Sequence, residues 1–133
     1  MNFGRALLIC LPMVTVAVGA RAEELSGYTG EGLYHRFCAS CHGVEGHGDG
    51  PVAGSFTIMV PDLTLLARRH GGQFPTDQVR KIIDGRSVRP PHGERDMPVW
   101  GFEFGAATSA AGGAGQVDAL INELVDYLRS IQH

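Results

Sequence analysis

The sequence predicts an all-α domain of short helices joined by long loops. Three observations point that way: an apolar stripe at helical spacing near the C-terminus, a second and shorter stripe starting at Gly30, and no run alternating apolar with polar residues as a strand would. The chain has 133 residues, with 19 Gly and 7 Pro, which suffices for one small domain and many turns.

Residues 1–22 read as a secretory signal peptide. Arg5 forms a short basic region, an apolar stretch runs from Ala6 to Ala20, and Ala20-Arg21-Ala22 is a small-x-small cleavage site, with cleavage expected after Ala22. Fifteen of these 22 residues are apolar, but the stretch is interrupted by Pro12 and falls short of the roughly 20 residues a spanning helix needs. No stable membrane insertion is expected once the leader is removed. Cys10 lies inside the apolar run behind Ile9, not after a small residue at a cleavage point, and reads as an incidental apolar residue.

The remaining domain, residues 23–133, carries 9 basic and 14 acidic side chains. That balance gives no footprint for nucleic acid. Seven of the nine basic residues fall between Arg68 and Arg95. The stretch reads as a solvated face, with a docking surface for an acidic partner as the alternative.

Residues 23–29 form an irregular lead-in. From Gly30 the apolar groups Leu33, Tyr34, Phe37 and Cys41 share one stripe of a helix. Gly43 to Gly54 holds five Gly, one Pro and one Asp and reads as a tight loop. Asp62 is placed to cap a short helix, Leu63 to Arg69, ended by Gly71-Gly72; Thr76 is placed to cap another, Asp77 to Asp84, with Gly85 as its left-handed stop. Pro90-Pro91 forbids continuation. Residues 92–104 read as irregular but rich in Met, Trp and Phe, a loop that folds back onto something apolar. Residues 105–116 are small and featureless, an insertion or flexible connection. The final segment is the clearest helix: Val117, Leu120, Ile121, Leu124, Val125, Leu128 and Ile131 form an amphipathic stripe.

The strongest chemical signal is Cys38-Ala39-Ser40-Cys41-His42. Two thiols three positions apart on a helix face the same way, as needed to add across the two vinyl groups of a haem, and the next residue offers an imidazole to the iron. A redox dithiol would expect a βαβ setting, and no strand is predicted. A disulfide between Cys38 and Cys41 would close too short a loop to remove much unfolded-state entropy. A zinc site would need a further ligand from His35, His47, His70 or His92, and no paired spacing suggests one. Covalent attachment of one haem c is therefore expected, with Cys38, Cys41 and His42 at the cofactor.

The second axial ligand must come from elsewhere. Of the two methionines beyond the leader, Met59 in Phe56-Thr57-Ile58-Met59-Val60 reads as core or haem-edge packing. Met97 in Asp96-Met97-Pro98-Val99-Trp100 is the expected ligand, since Pro98 stiffens the chain and Trp100 supplies an aromatic wall. The second N–H of His42 is expected to donate to a carbonyl in the glycine-rich loop, at Pro51 or a neighbour. Arg68, Arg69, Arg86, Arg89 and Arg95 are candidates for pairing with haem propionates.

With these residues in view, residues 23–133 resemble the monohaem class I cytochrome c family of bacterial periplasmic type. Besides the Cys38-x-x-Cys41-His42 motif near the N-terminus of the domain, Gly30 and Tyr34 stand eight and four residues before the first Cys, and Leu124 and Tyr127 stand three apart in the last helix. The Gly46-x-Gly48-Asp49-Gly50-Pro51 and Met97-Pro98-Val99-Trp100 stretches look like those of the same group. The resemblance implies the class I cytochrome c fold, wrapped around one covalently bound haem, with Gly30 and Tyr34 against Leu124 and Tyr127. It also implies a periplasmic single-electron carrier, not itself an enzyme, that shuttles between redox partner proteins; the alternative is a haem-bearing subunit of a periplasmic dehydrogenase or oxidase complex. Two departures stand out: a single Lys in the chain, against the lysine ring of the mitochondrial type, and the Gly/Ala segment 105–115.

Overall fold

The computed structural model describes residues 25–87, 97–108 and 113–133. The leader over residues 1–22, Cys10, Arg89, Pro90-Pro91 and Arg95 lie outside them. Every regular element among the described residues is helical: α1 (Gly30–Phe37), α2 (Ala39–His42), α3 (Leu66–Arg69), α4 (Thr76–Ile83), α5 (Trp100–Thr108) and α6 (Gly113–Ser130), with single 3₁₀ turns at Leu25–Gly27, Ala53–Ser55 and Leu63–Leu65. The all-α class is thus the observed one.

The apolar stripe of α6 organises the molecule. Leu120, Ile121, Leu124, Val125 and Leu128 are all buried, and α1, α4 and α5 each pack against this helix. Thr29 opens α1, its side chain accepting from the Gly32 N–H at 3.1 Å. At the next residue α1 and α6 cross so closely that a Cβ at Gly30 would sit 2.0 Å from the Glu123 carbonyl oxygen. The close crossing lets the Tyr34 and Tyr127 rings pack at a tilt of 42° with centroids 5.1 Å apart, with Leu33, Tyr34 and Leu124 buried nearby.

The stripe running through Cys41 lies on two helices, not one. Cys38 separates α1 from α2 at φ −114°, ψ −36°, while the His42 N–H still reaches the Cys38 carbonyl at 2.9 Å. Asp62 caps as expected, its carboxylate accepting from the Thr64 N–H at 2.8 Å, and the segment it opens begins as a 3₁₀ turn before becoming α3.

Two helix boundaries differ from the sequence reading. Thr76 is the first residue of α4 and not its cap; Pro75 holds the cap position, and its carbonyl accepts the Val79 N–H at 3.0 Å. The Thr76 hydroxyl instead accepts from Arg129 Nη2 on α6 at 3.1 Å. The second difference is larger. Residues 100–108, expected as the end of an irregular loop and part of a featureless connection, form α5, and α6 begins at Gly113, before the first residue of the stripe. An aromatic cluster explains α5: Phe37 lies 5.3 Å from Trp100 and 5.4 Å from Phe104, ring centre to ring centre. Burying Phe104 to 1% exposure overrides the weak helical preference of Gly101 and Gly105.

Gly85 ends α4 in the left-handed region, φ +77°, as its position predicts. A Cβ there would lie 2.3 Å from Val99 Cγ1. The end of α4 therefore seats the Met97-Pro98-Val99 segment directly before α5.

Candidate functional site

A cavity of about 820 Å³ opens between these helices. Its apolar lining includes Leu124 and Leu128 of α6, Val79, Ile82 and Ile83 of α4, and Phe37 and Trp100 of the aromatic cluster. Cys38, Cys41, His42 and Met97 all line it. The structure thus brings the four residues singled out from sequence to one site, although Met97 is 55 positions from His42.

Both cysteines are free thiols. Burial, with a smaller contribution from Cys41, pushes the Cys38 thiol up to about 12, so it holds its proton at neutral pH. Among the described residues, which do not include the zinc candidate His92, no group of three or more His, Cys, Asp or Glu side chains is placed to hold a metal ion. With no strand there either, the thioredoxin-like setting is also missing.

His42 is buried, 8% exposed, and its Nδ1 lies 3.2 Å from the Pro61 carbonyl oxygen. A carbonyl only accepts, so Nδ1 carries the proton and Nε2 keeps its lone pair. Burial lowers the His42 pKa, against an opposing pull from the Pro61 carbonyl. A neutral imidazole with Nε2 free is the form that binds a metal. The acceptor is Pro61 and not Pro51 or a neighbour, as the sequence suggested. The glycine-rich loop is occupied in closing α2: Gly48 N–H donates to the His42 carbonyl at 2.7 Å, Gly50 N–H to Cys41 at 3.2 Å and Val52 N–H to Ser40 at 3.1 Å. That leaves the ring nitrogen to the segment ahead of Asp62.

Of the two packing positions expected for Met59, core or haem edge, the structure excludes the core. Met59 lines the cavity but is 91% exposed, so it belongs to the rim and not to the core. The short 3₁₀ turn before it provides no helix to press it inward. Met97 is half-buried and packed against the core cluster.

Of the basic residues, Arg69 lines the cavity while its Nη1 donates to the Asp62 carbonyl at 2.9 Å. Arg68 is exposed. Arg86 pairs with Asp84, and Arg80 pairs with Asp118 and bonds Asn122, so much of the basic stretch is neutralised within the fold. Sequence reasoning missed Pro61, whose role depends on a carbonyl. His70, weighed from the sequence only as a zinc ligand, lines the cavity with Nδ1 2.8 Å from the Leu66 carbonyl and Nε2 3.1 Å from Gln78 Oε1.

The donor set and the cavity agree: two thiols, one neutral imidazole and one thioether around a large apolar space are what a covalently attached haem requires. No curated protein and no solved structure matches the chain significantly. The family model described as Cytochrome c matches residues 28–132, most of the length, and with an all-helical fold built on α6 the chain belongs to the class I cytochrome c family.

Proposed function

We propose that the chain is an exported electron carrier with one haem c, bound through thioethers at Cys38 and Cys41 and ligated by His42 and Met97, which passes single electrons between redox partner proteins in the periplasm. Family membership makes it a haem-based electron-transfer protein and implies covalently bound haem c. When bound, the haem supplies a ferric/ferrous couple that takes up and releases one electron. The observation that carries the finer reading is the gathering of Cys38, Cys41, His42 and Met97 on one apolar cavity.

Each residue then has a task. Cys38, at the junction of α1 and α2, and Cys41, on α2, would fix the porphyrin edge to the polypeptide. Pro61 holds the imidazole of His42 in one tautomer and orientation. Met97 would offer the metal a soft thioether, which favours the reduced state and raises the potential. Leu124, Leu128, Val79 and Ile83 exclude water, so little solvent reorganises when charge moves. Residues 1–22 direct export, and among the described residues no helix is long and apolar enough to cross a membrane.

A visible spectrum tests this. The reduced protein should show sharp α and β bands, and the haem should resist extraction by acid acetone; extractable haem overturns covalent attachment. Met97→Ala should abolish the weak methionine-to-ferric charge-transfer band, and survival of that band would remove Met97 as the ligand. Isolation of the native protein as a free monomer supports the carrier, and stable co-purification with a larger oxidoreductase supports a subunit.

A further inference from the structure

We propose that Asp62 is a positioning residue for His42: its side chain fixes the backbone that presents the Pro61 carbonyl to Nδ1, and its negative charge lowers the reduction potential. The inference rests on the ligation proposed above for His42.

Thr64 and His42 are the buried polar residues among those described, and Thr64 is only 1% exposed. Both its donors go to one oxygen: Thr64 N–H lies 2.8 Å and Thr64 Oγ1 2.6 Å from Asp62 Oδ1. These bonds lower the carboxylate's pKa, Thr64 Oγ1 contributing most and burial opposing, so the group is ionised at neutral pH. The second carboxylate oxygen faces His47 Nδ1 at 3.6 Å, and His47 Nε2 faces Glu45 at 3.6 Å.

The backbone around this pair is tied from several directions. Leu63 N–H donates to the Gly46 carbonyl at 2.7 Å, and the Thr64 carbonyl accepts from His133 N–H at 3.1 Å. Gln132 Nε2 donates to the Leu63 carbonyl at 2.8 Å, and Gln132 Oε1 accepts from Ala67 N–H at 2.9 Å. Such anchoring exceeds what a 3₁₀ turn of three residues needs. It immobilises Pro61, whose carbonyl is the partner of the buried imidazole, and it sets an ionised carboxylate one residue from that carbonyl.

A fixed negative charge beside a ligand favours the more positive oxidation state. Reduction adds one electron, delivered by an outer-sphere one-electron donor, and moves no proton, because Nδ1 keeps its proton on Pro61 in both states. Solvent and His47 screen the charge, so its effect is modest.

The experiment is a spectroelectrochemical titration of the holoprotein and of Asp62→Asn and Asp62→Ser, which keep a cap oxygen without the charge. Both variants should retain the wild-type α and β bands and charge-transfer band. Both should favour reduction by roughly threefold at a given potential, about 28 mV at 59 mV per tenfold change for one electron. Raising the ionic strength should shrink that difference, which a merely structural role would not do. Unchanged potentials in two variants with intact spectra overturn the inference, as does a shift insensitive to salt. Lower melting temperatures with wild-type potentials reduce Asp62 to a cap and overturn it too. Wild-type protein lacking the charge-transfer band instead overturns the axial ligation on which the inference rests.

Discussion

Tyr34 lies where the helix-crossing contact meets the cofactor loop. Its hydroxyl donates to the Gly43 carbonyl at 2.7 Å from a buried position, and burial raises the phenol above its ordinary value, so it remains a donor across the physiological range. Gly46 N–H also reaches the Gly43 carbonyl, at 3.3 Å, so Tyr34→Phe does not strand that acceptor. The expected loss is about 1 kcal/mol, read by chemical denaturation of the holoprotein. Asp62 adds a pH dependence. Its pKa in the folded chain is depressed, first by Thr64 Oγ1, below the roughly 3.9 of a free carboxyl. Its contribution to stability is complete above about pH 4 and lost as the pH falls through the depressed value. The stability difference between wild type and Asp62→Asn should therefore close below pH 4. A difference constant from pH 6 to pH 2 would show that ionisation of Asp62 has no part in it. The cysteines, His42 and Met97 were legible because side-chain chemistry and spacing name them. Pro61 was not, because any residue but the right neighbour in space offers the same carbonyl.

Among the helices, α6 was the most legible and α5 the least, for one physical reason. Leu120, Ile121, Leu124, Val125 and Leu128 repeat at the helical period and declare a buried face. In α5, Trp100 and Phe104 share a face, but Gly101, Gly105, Ala106 and Ala107 between and after them carry no period. What holds α5 is distant, the ring of Phe37 on α1. Phe104→Ala should cost about 3–5 kcal/mol by denaturant titration, and a loss under 1 kcal/mol would mean the cluster does not sustain α5. At the crossing of α1 and α6, Gly30→Ala must push the helices apart. The gain in helix propensity, about 1 kcal/mol, is outweighed by the clash with the Glu123 carbonyl, giving an expected net loss of about 2 kcal/mol. A neutral or stabilising effect in the same titration would show that the helices can separate freely.

For the molecule as a whole, the cavity decides the energetics. An apolar cavity of about 820 Å³ that is closed and left unfilled would cost roughly 20 kcal/mol at about 24 cal/mol per Å³. Even half of that rivals the 5–15 kcal/mol typical of a domain. The double variant Cys38→Ala, Cys41→Ala should therefore lose cooperative thermal unfolding and much of its far-ultraviolet helical signal. A sharp transition with native helicity would mean that the fold stands without covalent attachment. The 19 Gly and 7 Pro of the sequence announce many turns but give no measure of the space they enclose.

The close approach of Gly30 to Glu123 also orders events in time. These residues are 93 positions apart, so α1 lacks its packing partner until nearly the entire chain has emerged, and closing so long a loop is slow compared with forming either helix. Throughout that interval the segment bearing Cys38 and Cys41 lacks the packing of the closed fold, which buries His42 and half-buries both thiols. The pairing that finishes the fold is thus the last to form, long after the two cysteines have emerged.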